Sequence, residues 1–146
     1  MPITYYTENV FLPRRFKKRL LAKWIKDTGK QYEKITGDIA YIFCDDTKIL
    51  EINQLYLKHD YYTDIITFDY TKNDVVAGDI FISLDMVRSN AEKFKTNFSD
   101  ELYRVMIHGI LHLCGIKDKT KIEQARMREA ENKALEILSQ AMKLAE

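Results

Sequence analysis

The sequence predicts an α+β fold in one domain, residues 1–146, in which helices pack on a small, mixed β-sheet. Short segments rich in β-branched and aromatic residues are interspersed with longer segments whose apolar residues recur at helical spacing. A chain of 146 residues, 46% of them hydrophobic, is long enough to bury one sizeable core. The sequence contains no linker, internal repeat or low-complexity tract that would divide this core.

Five short segments are predicted to be strands: residues 3–6, 32–36, 38–44, 65–68 and 75–84. The second and third are expected to form a hairpin around Gly37, because glycine favours turns. Gly78, inside the last segment, is expected to allow close backbone approach or a bulge.

Five longer segments have the apolar spacing of helices: residues 14–29, 47–56, 85–94, 100–114 and 120–144. The first helix is expected to begin after Pro13 and to end at Gly29. Asp45 or Asp46 is expected to cap the second, and Ser99 is expected to cap the fourth. The fourth helix, residues 100–114, carries the candidate metal ligands.

The first predicted helix is amphipathic, and one of its faces is strongly basic. Its cations have no acidic residue among them: Arg14, Arg15, Lys17, Lys18, Arg19, Lys23 and Lys26. Such a face can contact the phosphates of a nucleic acid. An ordinary solvated face and a membrane-surface helix are the alternatives, and the second is disfavoured because the rest of the chain builds a globular domain.

Overall charge and cysteine content indicate the surroundings of the protein. A formal net charge of +1 gives no general attraction to nucleic acid, so the local distribution of charge matters more. Cys44 and Cys114 occur without a secretory leader, and no apolar stretch is long enough to cross a bilayer. We therefore expect a cytoplasmic protein with reduced cysteines and no membrane partner.

The most informative segment is residues 108–118, H-G-I-L-H-L-C-G-I-K-D. On a helix, His108 and His112 share one face with their Cβ atoms about 5–6 Å apart, so both imidazoles can bind one metal ion. Gly115 permits the chain to turn back after the helix, which brings Asp118 up as a third ligand. The pattern H-x3-H-x2-G-x2-D therefore predicts a metal site with two histidines and one aspartate.

This set of ligands suits a single zinc ion. Two neutral imidazoles and one carboxylate leave a divalent ion with residual positive charge, and thus a Lewis-acidic centre. Ferrous iron binds the same donor types in oxygenases, so the ligands alone do not determine the metal. Cys114 lies about 200° around the helix from His112 and is expected to pack in the core. Nothing in the sequence indicates an organic cofactor.

The residue after the first histidine distinguishes two kinds of hydrolase. Zinc proteases with the H-E-x-x-H motif place a glutamate there as general base, whereas this chain has Gly109. Phosphodiester cleavage depends less on such a side chain, because a metal and nearby cations can stabilise charge on phosphate oxygens. The sequence therefore favours a nuclease and leaves open whether water or an RNA 2′-hydroxyl attacks.

Taken together, these motifs resemble those of the YbeY family of bacterial ribosomal-RNA maturation endoribonucleases. The similar segments are residues 53–68 (N-Q-L-Y-L-K-H-D-Y-Y-T-D-I-I-T-F), Gly78-Asp79-Ile80 and the H-G-x-L-H-L-x-G run that begins at His108. The resemblance implies a single YbeY-like, metal-dependent endoribonuclease domain that uses one zinc ion to cut single-stranded RNA. It also implies roles in 16S rRNA 3′-end maturation and ribosome quality control, with rRNA precursors and the small ribosomal subunit as partners.

The chain departs from the pattern of this family at two positions. Asp118 stands where the family usually has a third histidine, so an anionic ligand replaces a neutral one and makes the site less positive. Leu57 stands where the family typically has an arginine that could bind phosphate. Lys58 and His59 follow it and are candidates for that role.

The candidate RNA contacts are basic residues: Arg14, Arg15, Lys18, Lys58 and Lys117. In residues 60–64 the tyrosine rings could stack on unpaired bases, although a capped turn is favoured there. Asp79 is expected either to orient a ligand histidine or to bond to a loop amide.

Two other functional classes stay open on the sequence alone. One is a zinc metalloprotease-like hydrolase, which Gly109 disfavours. The other is a non-catalytic ribosome-assembly factor in which zinc is structural.

Overall fold

The computed structural model describes residues 2–57 and 63–145, and in these ranges a four-stranded mixed sheet packs against five helices. The strands are β1 (Ile3–Thr7), β2 (Ile35–Cys44), β3 (Ile65–Asp69) and β4 (Val75–Ser83), in the order β1-β2-β4-β3. Strands β1 and β4 run parallel to β2, and β3 is antiparallel to β4. The predicted α+β class is confirmed.

The helices are α1 (Lys18–Gln31), α2 (Asp46–Leu57), α3 (Leu84–Lys93), α4 (Phe98–Leu113) and α5 (Lys121–Leu144). Helix α2 covers one face of the sheet, where Ile49 and Ile52 pack against Ile66. The other four helices share the main core on the opposite face, around Tyr41 and Ile80. Side chains alternate between faces along a strand, so β2 and β4 contribute to both layers.

Residues 32–44 do not form the predicted hairpin. Strand β2 is continuous, with parallel neighbours on both sides, and its register shifts only between Thr36 and Ile39. A Cβ atom added at Gly37 would lie 2.8 Å from Cγ1 of Val75. Gly37 therefore accommodates an irregularity between two closely spaced strands, where the sequence had suggested a reversal of the chain.

The basic helix begins later than Pro13. The Phe16 N–H donates to the Pro13 carbonyl at 3.1 Å and closes a turn over Arg14 and Arg15, so α1 starts at Lys18. No side chain caps this helix and no acidic residue lies in its first turn. Phe16 and Lys17 separate this turn from α1, so the two arginines lie outside the helix.

Helix α1 also passes through Gly29, where the sequence predicted its end. Gly29 is buried, and an added Cβ there would lie 3.2 Å from Oγ1 of Thr36. The glycine thus allows α1 to approach β2 closely. Farther back in the same helix, Nε1 of Trp24 donates to the Ala134 carbonyl at 2.8 Å and joins α1 to α5.

Helix α4 lies unusually close to the sheet. A Cβ added at Gly109 would lie 3.1 Å from Ile80 and 3.2 Å from Ile65. At Gly78 an added Cβ would collide with the Phe68 carbonyl oxygen, so the expected close approach at that position is confirmed. Ten residues of α4 are buried, and the helix therefore contributes to the core along most of its length.

Both cysteines are free thiols. Burial raises the pKa of Cys44 to about 12 and that of Cys114 to about 11. Cys114 packs against the main core, as the sequence predicted. Within residues 2–57 and 63–145, no helix is long and apolar enough to cross a membrane.

Asn97 caps α4, and the predicted cap at Ser99 is wrong. The Asn97 side chain accepts a hydrogen bond from the Asp100 N–H at 2.8 Å and donates one to the Asp100 carboxylate at 2.9 Å. Ser99 lies one residue inside the helix, because α4 already begins at Phe98. For α2 the cap is Asp45, which accepts from the Lys48 N–H at 2.9 Å.

We expect Asn97→Ala to lower the free energy of unfolding by about 1 kcal/mol, because the first turn of α4 loses its side-chain acceptor. Ser139→Ala, at an exposed serine within α5, is the control and should change it by less than about 0.5 kcal/mol. Urea denaturation of both variants measures the difference. An equal loss in the two variants would contradict the assignment of the cap.

Candidate active site

One face of α4 points away from the sheet and lines a cleft of about 710 Å³. Arg104, His108 and His112 follow one another at intervals of four residues, which places them on the same side of the helix. Strand β3 and helices α3 and α5 supply the other walls. The two histidines lie on a common helix face, as predicted. Both side chains are therefore open to this cleft.

His108, His112 and Asp118 lie together in the cleft. One oxygen of Asp118, Oδ2, lies 3.3 Å from Nε2 of His108 and 3.2 Å from Nε2 of His112. One ligand atom from each residue can be chosen so that all three lie within 4.8 Å of one another. The structure therefore brings together the three side chains that the spacing indicated.

Asp118 reaches the histidines because the chain turns sharply after α4. Gly115 has a φ of +99°, a conformation that residues with a side chain rarely adopt. Its N–H donates to the His112 carbonyl at 2.9 Å, and the next N–H, of Ile116, donates to the Leu111 carbonyl at 3.0 Å. These bonds satisfy the end of the helix and turn the chain back towards its last turn.

Glu131 of α5 fixes the orientation of His108. Its Oε2 atom lies 2.7 Å from Nδ1 of His108. Burial raises the pKa of Glu131, but hydrogen bonds and charges from His108 and Arg104 outweigh it and hold the pKa below its ordinary value. Because Glu131 is thus a carboxylate, Nδ1 of His108 is the donor, and Nε2 faces Asp118.

The same network determines the ionisation of His108. Burial alone lowers its pKa, whereas the hydrogen bond and charge of Glu131, with the charges of Asp118 and Asp64, raise it above the ordinary value. Arg104 donates to the other oxygen of Glu131 at 2.8 Å. Both oxygens of this buried carboxylate are therefore paired, as a charge removed from water requires.

Glu131 is not among the site residues that the sequence predicted. No short motif connects it to the histidines, because it lies on α5 far along the chain. The residues of α5 that are buried recur at helical spacing: Met127, Glu131, Ala134 and Leu138. A carboxylate within an otherwise apolar stripe was the available indication, since such a group must find a partner in the core.

Two aspartates have different environments. Asp64 lines the cleft, and its carboxylate accepts from Nδ2 of Asn90 at 3.3 Å. Burial raises the pKa of Asp64, although the charge of His108 lowers it in part. Asp79 accepts from the Tyr70 hydroxyl at 3.3 Å. Among the described residues, the side-chain partner of Asp79 is therefore Tyr70, and neither a ligand histidine nor a loop amide.

The candidate RNA contacts that the structure describes lie outside the cleft. Arg14, Arg15 and Lys18 are exposed, and the Tyr5 hydroxyl donates to the Lys18 carbonyl at 3.2 Å, which places them beside β1. Strand β1 is at the opposite edge of the sheet from β3, about 14–15 Å away. Lys117 is exposed and lines a different groove.

Part of the predicted binding surface lies outside the described residues. This applies to Lys58 and His59, and to Asp60, Tyr61 and Tyr62 of the aromatic segment. Leu57, the last residue of α2, is an exposed apolar side chain.

Comparisons with known proteins bear on the whole chain. The sequence profile of the Endoribonuclease YbeY family matches residues 3–139. A protein named Endoribonuclease YbeY from Parabacteroides distasonis is 59% identical over 138 residues, which cover 94% of this chain and 96% of the relative. One of the same name from Bacteroides thetaiotaomicron is 60% identical over 135 residues, covering 92% and 98%.

Among solved structures, the chain is similar to the solution structure of TM1509 from Thermotoga maritima. The TM-score is 0.69 at 26% sequence identity, and the match covers 99% of this chain and 93% of the other. Sequence and fold comparisons thus agree over nearly the full length of the chain. On these grounds the chain belongs to the Endoribonuclease YbeY family.

Proposed function

We propose that this protein is an endoribonuclease that cuts single-stranded RNA with one zinc ion held by His108, His112 and Asp118. The observation that carries the proposal is the convergence of these three side chains in a cleft that is open to solvent. Membership of a family whose relatives are named endoribonucleases supports RNA as the substrate.

The donor atoms fit zinc in kind, and the two histidine–aspartate distances fit it in spacing. Tetrahedral zinc with bonds of about 2.0–2.1 Å holds its ligand atoms about 3.3–3.4 Å apart. The two histidine nitrogens lie 3.3 Å and 3.2 Å from the Asp118 oxygen, close to that separation. When bound, the ion supplies a Lewis acid that stabilises negative charge on a phosphodiester.

The protein itself orients and supports this centre. Glu131 keeps the proton of His108 on Nδ1, so that Nε2 is free to act as a ligand. Gly109 packs against Ile65 and Ile80 of the sheet, so a side chain at this position would face the core and not the cleft. A protease mechanism that takes its general base from that position therefore finds no support in the fold.

We place the reaction in the cytoplasm, in the maturation of the 16S rRNA 3′ end and in ribosome quality control. The rRNA precursor and the small ribosomal subunit are the proposed partners. Arg14, Arg15, Lys18 and Lys117 are proposed to contact RNA outside the cleft. Because the arginines lie at the other edge of the sheet, they suit a substrate long enough to run across the protein.

Purified protein should cleave unpaired RNA, lose this activity with a zinc chelator and regain it when zinc is restored.

Asp118→Ala should abolish both stoichiometric zinc and cleavage, because only two protein ligands remain. Asp118→His restores three protein ligands and should retain zinc. Elemental analysis and cleavage of a labelled oligoribonucleotide are measured on the same samples. Full zinc retention by Asp118→Ala would contradict the ligand set.

Glu131→Gln should weaken zinc binding about 10-fold to 100-fold, because a neutral amide no longer accepts the Nδ1 proton as strongly and His108 becomes a poorer, less fixed ligand. Glu129→Gln is the matched control on the exposed side of α5 and should leave the affinity unchanged. Competition with a chromogenic chelator measures the zinc dissociation constant. Equal affinities in the two variants would show that Glu131 has no role in holding the ligand.

A further inference from the structure

Among the residues that the structure describes, two arginines line the cleft, and their surroundings differ. Nη1 of Arg104 lies 2.8 Å from Oε1 of Glu131, and its Nη2 lies 2.7 Å from Oδ1 of Asn132. The side chain of Arg104 is only 20% exposed. The guanidinium of Arg104 is therefore already paired with Glu131 and Asn132.

Arg128 is much less constrained. Its side chain is 56% exposed, and its Nη1 atom lies 3.6 Å from Oε1 of Glu131, too far for a strong hydrogen bond. Oε1 of the buried Glu131 already has a closer partner in Arg104, at 2.8 Å, so this carboxylate does not depend on Arg128 for its pairing. The guanidinium can therefore turn to an incoming anion without dismantling the network around Glu131.

The charge of the cleft shows why such a cation matters. The described lining includes more carboxylates than arginines: Asp64, Asp69, Glu101, Asp118 and Glu131 against Arg104 and Arg128. A divalent ion at the histidine cluster reduces this excess but does not reverse it. A phosphodiester chain entering the cleft thus needs a local cation that is not already neutralised.

We propose that Arg128 binds a backbone phosphate of single-stranded RNA and forms an anion subsite beside the metal centre. The proposal rests on the proposed function and names a contact that positions its substrate. Arginine suits this role because its planar fork can donate two hydrogen bonds to one phosphate.

The order of groups in the cleft indicates which phosphate Arg128 contacts. Oε1 of Glu131 faces Arg128, and Oε2 of the same carboxylate faces Nδ1 of His108. Nε2 of His108, on the far side of the ring, faces Asp118. A carboxylate and an imidazole thus separate the guanidinium from the ligand atoms. Arg128 therefore contacts a phosphate adjacent to the one at the metal centre.

Arg128→Ala tests the subsite, and Arg88→Ala is the matched control. Arg88 is exposed on α3 and lines neither the cleft nor the groove that contains Lys117, so its loss changes the net charge equally without touching either surface. The zinc-loaded proteins are compared by steady-state cleavage of a single-stranded oligoribonucleotide. Binding of its 2′-O-methyl analogue is followed by fluorescence anisotropy at several salt concentrations.

We expect Arg128→Ala to raise KM and the dissociation constant of the analogue about tenfold, with kcat changed less than about twofold. The slope of log K against log salt should decrease in magnitude by about 0.7, as expected when one phosphate contact to a single strand is lost. Arg128→Lys, which retains the charge but not the fork, should be intermediate. Arg88→Ala should resemble the wild type.

The outcomes separate this subsite from the proposed function. If the wild type cleaves RNA and Arg128→Ala matches Arg88→Ala, the subsite is wrong and the proposed function stands. If the wild type does not cleave but Arg128→Ala alone weakens binding of the analogue, the function is wrong and the subsite stands. If the wild type neither binds nor cleaves, both are wrong. Thermal melting of all variants verifies that each is folded.

Discussion

The close packing of α4 on the sheet is the constraint on which the rest of the structure depends. Gly109 lets the helix axis approach β3 and β4, and the residues around it fill the core. An α-helix that buries one side so fully presents a single narrow stripe to its surroundings. In this protein that stripe consists of Arg104, His108 and His112. The packing of α4 in the core therefore also determines that the two histidines face the cleft.

The second element of the site is a charged group at a core position of α5. A buried carboxylate is costly unless it is paired, and Glu131 is paired on both oxygens, with Arg104 and with His108. The pairing requires α4 and α5 to be docked in register. Formation of the histidine cluster is therefore coupled to the packing of the last helix, although α5 supplies none of the three grouped side chains.

The distribution of cations also follows from this geometry. Arg104 is occupied by Glu131 and Asn132, whereas Arg128 keeps its guanidinium exposed at the cleft. Leu57 is apolar, so α2 ends without a cation there. The basic turn at Arg14 and Arg15 lies near the opposite edge of the sheet. Among the described residues that line the cleft, positive charge thus comes from α4 and α5, and the start of α1 supplies a separate basic region.

Local sequence determined the class of fold, most of its helices and strands, and the grouping of His108, His112 and Asp118. These features depend on spacing within a few residues: four positions around a helix, and a glycine that permits a turn. Local competition between signals explains the errors at element ends. Asn97 lies two residues before Ser99 and accepts the capping hydrogen bond of α4, and a turn closed on the Pro13 carbonyl precedes α1.

Only the tertiary structure decided how β2 pairs and what stands behind the histidines. Glycine is typical of turns, but the pairing of β2 with β4 before and after Gly37 keeps the chain extended through it. Glu131 and Arg128 meet the cleft only because α5 folds back along α4. A contact between residues distant in sequence leaves no periodic pattern in the local sequence, because it depends on how the helices pack. The sequence could therefore indicate which side chains group as candidate metal ligands, but not which ones contact these ligands from behind or line the cleft beside them.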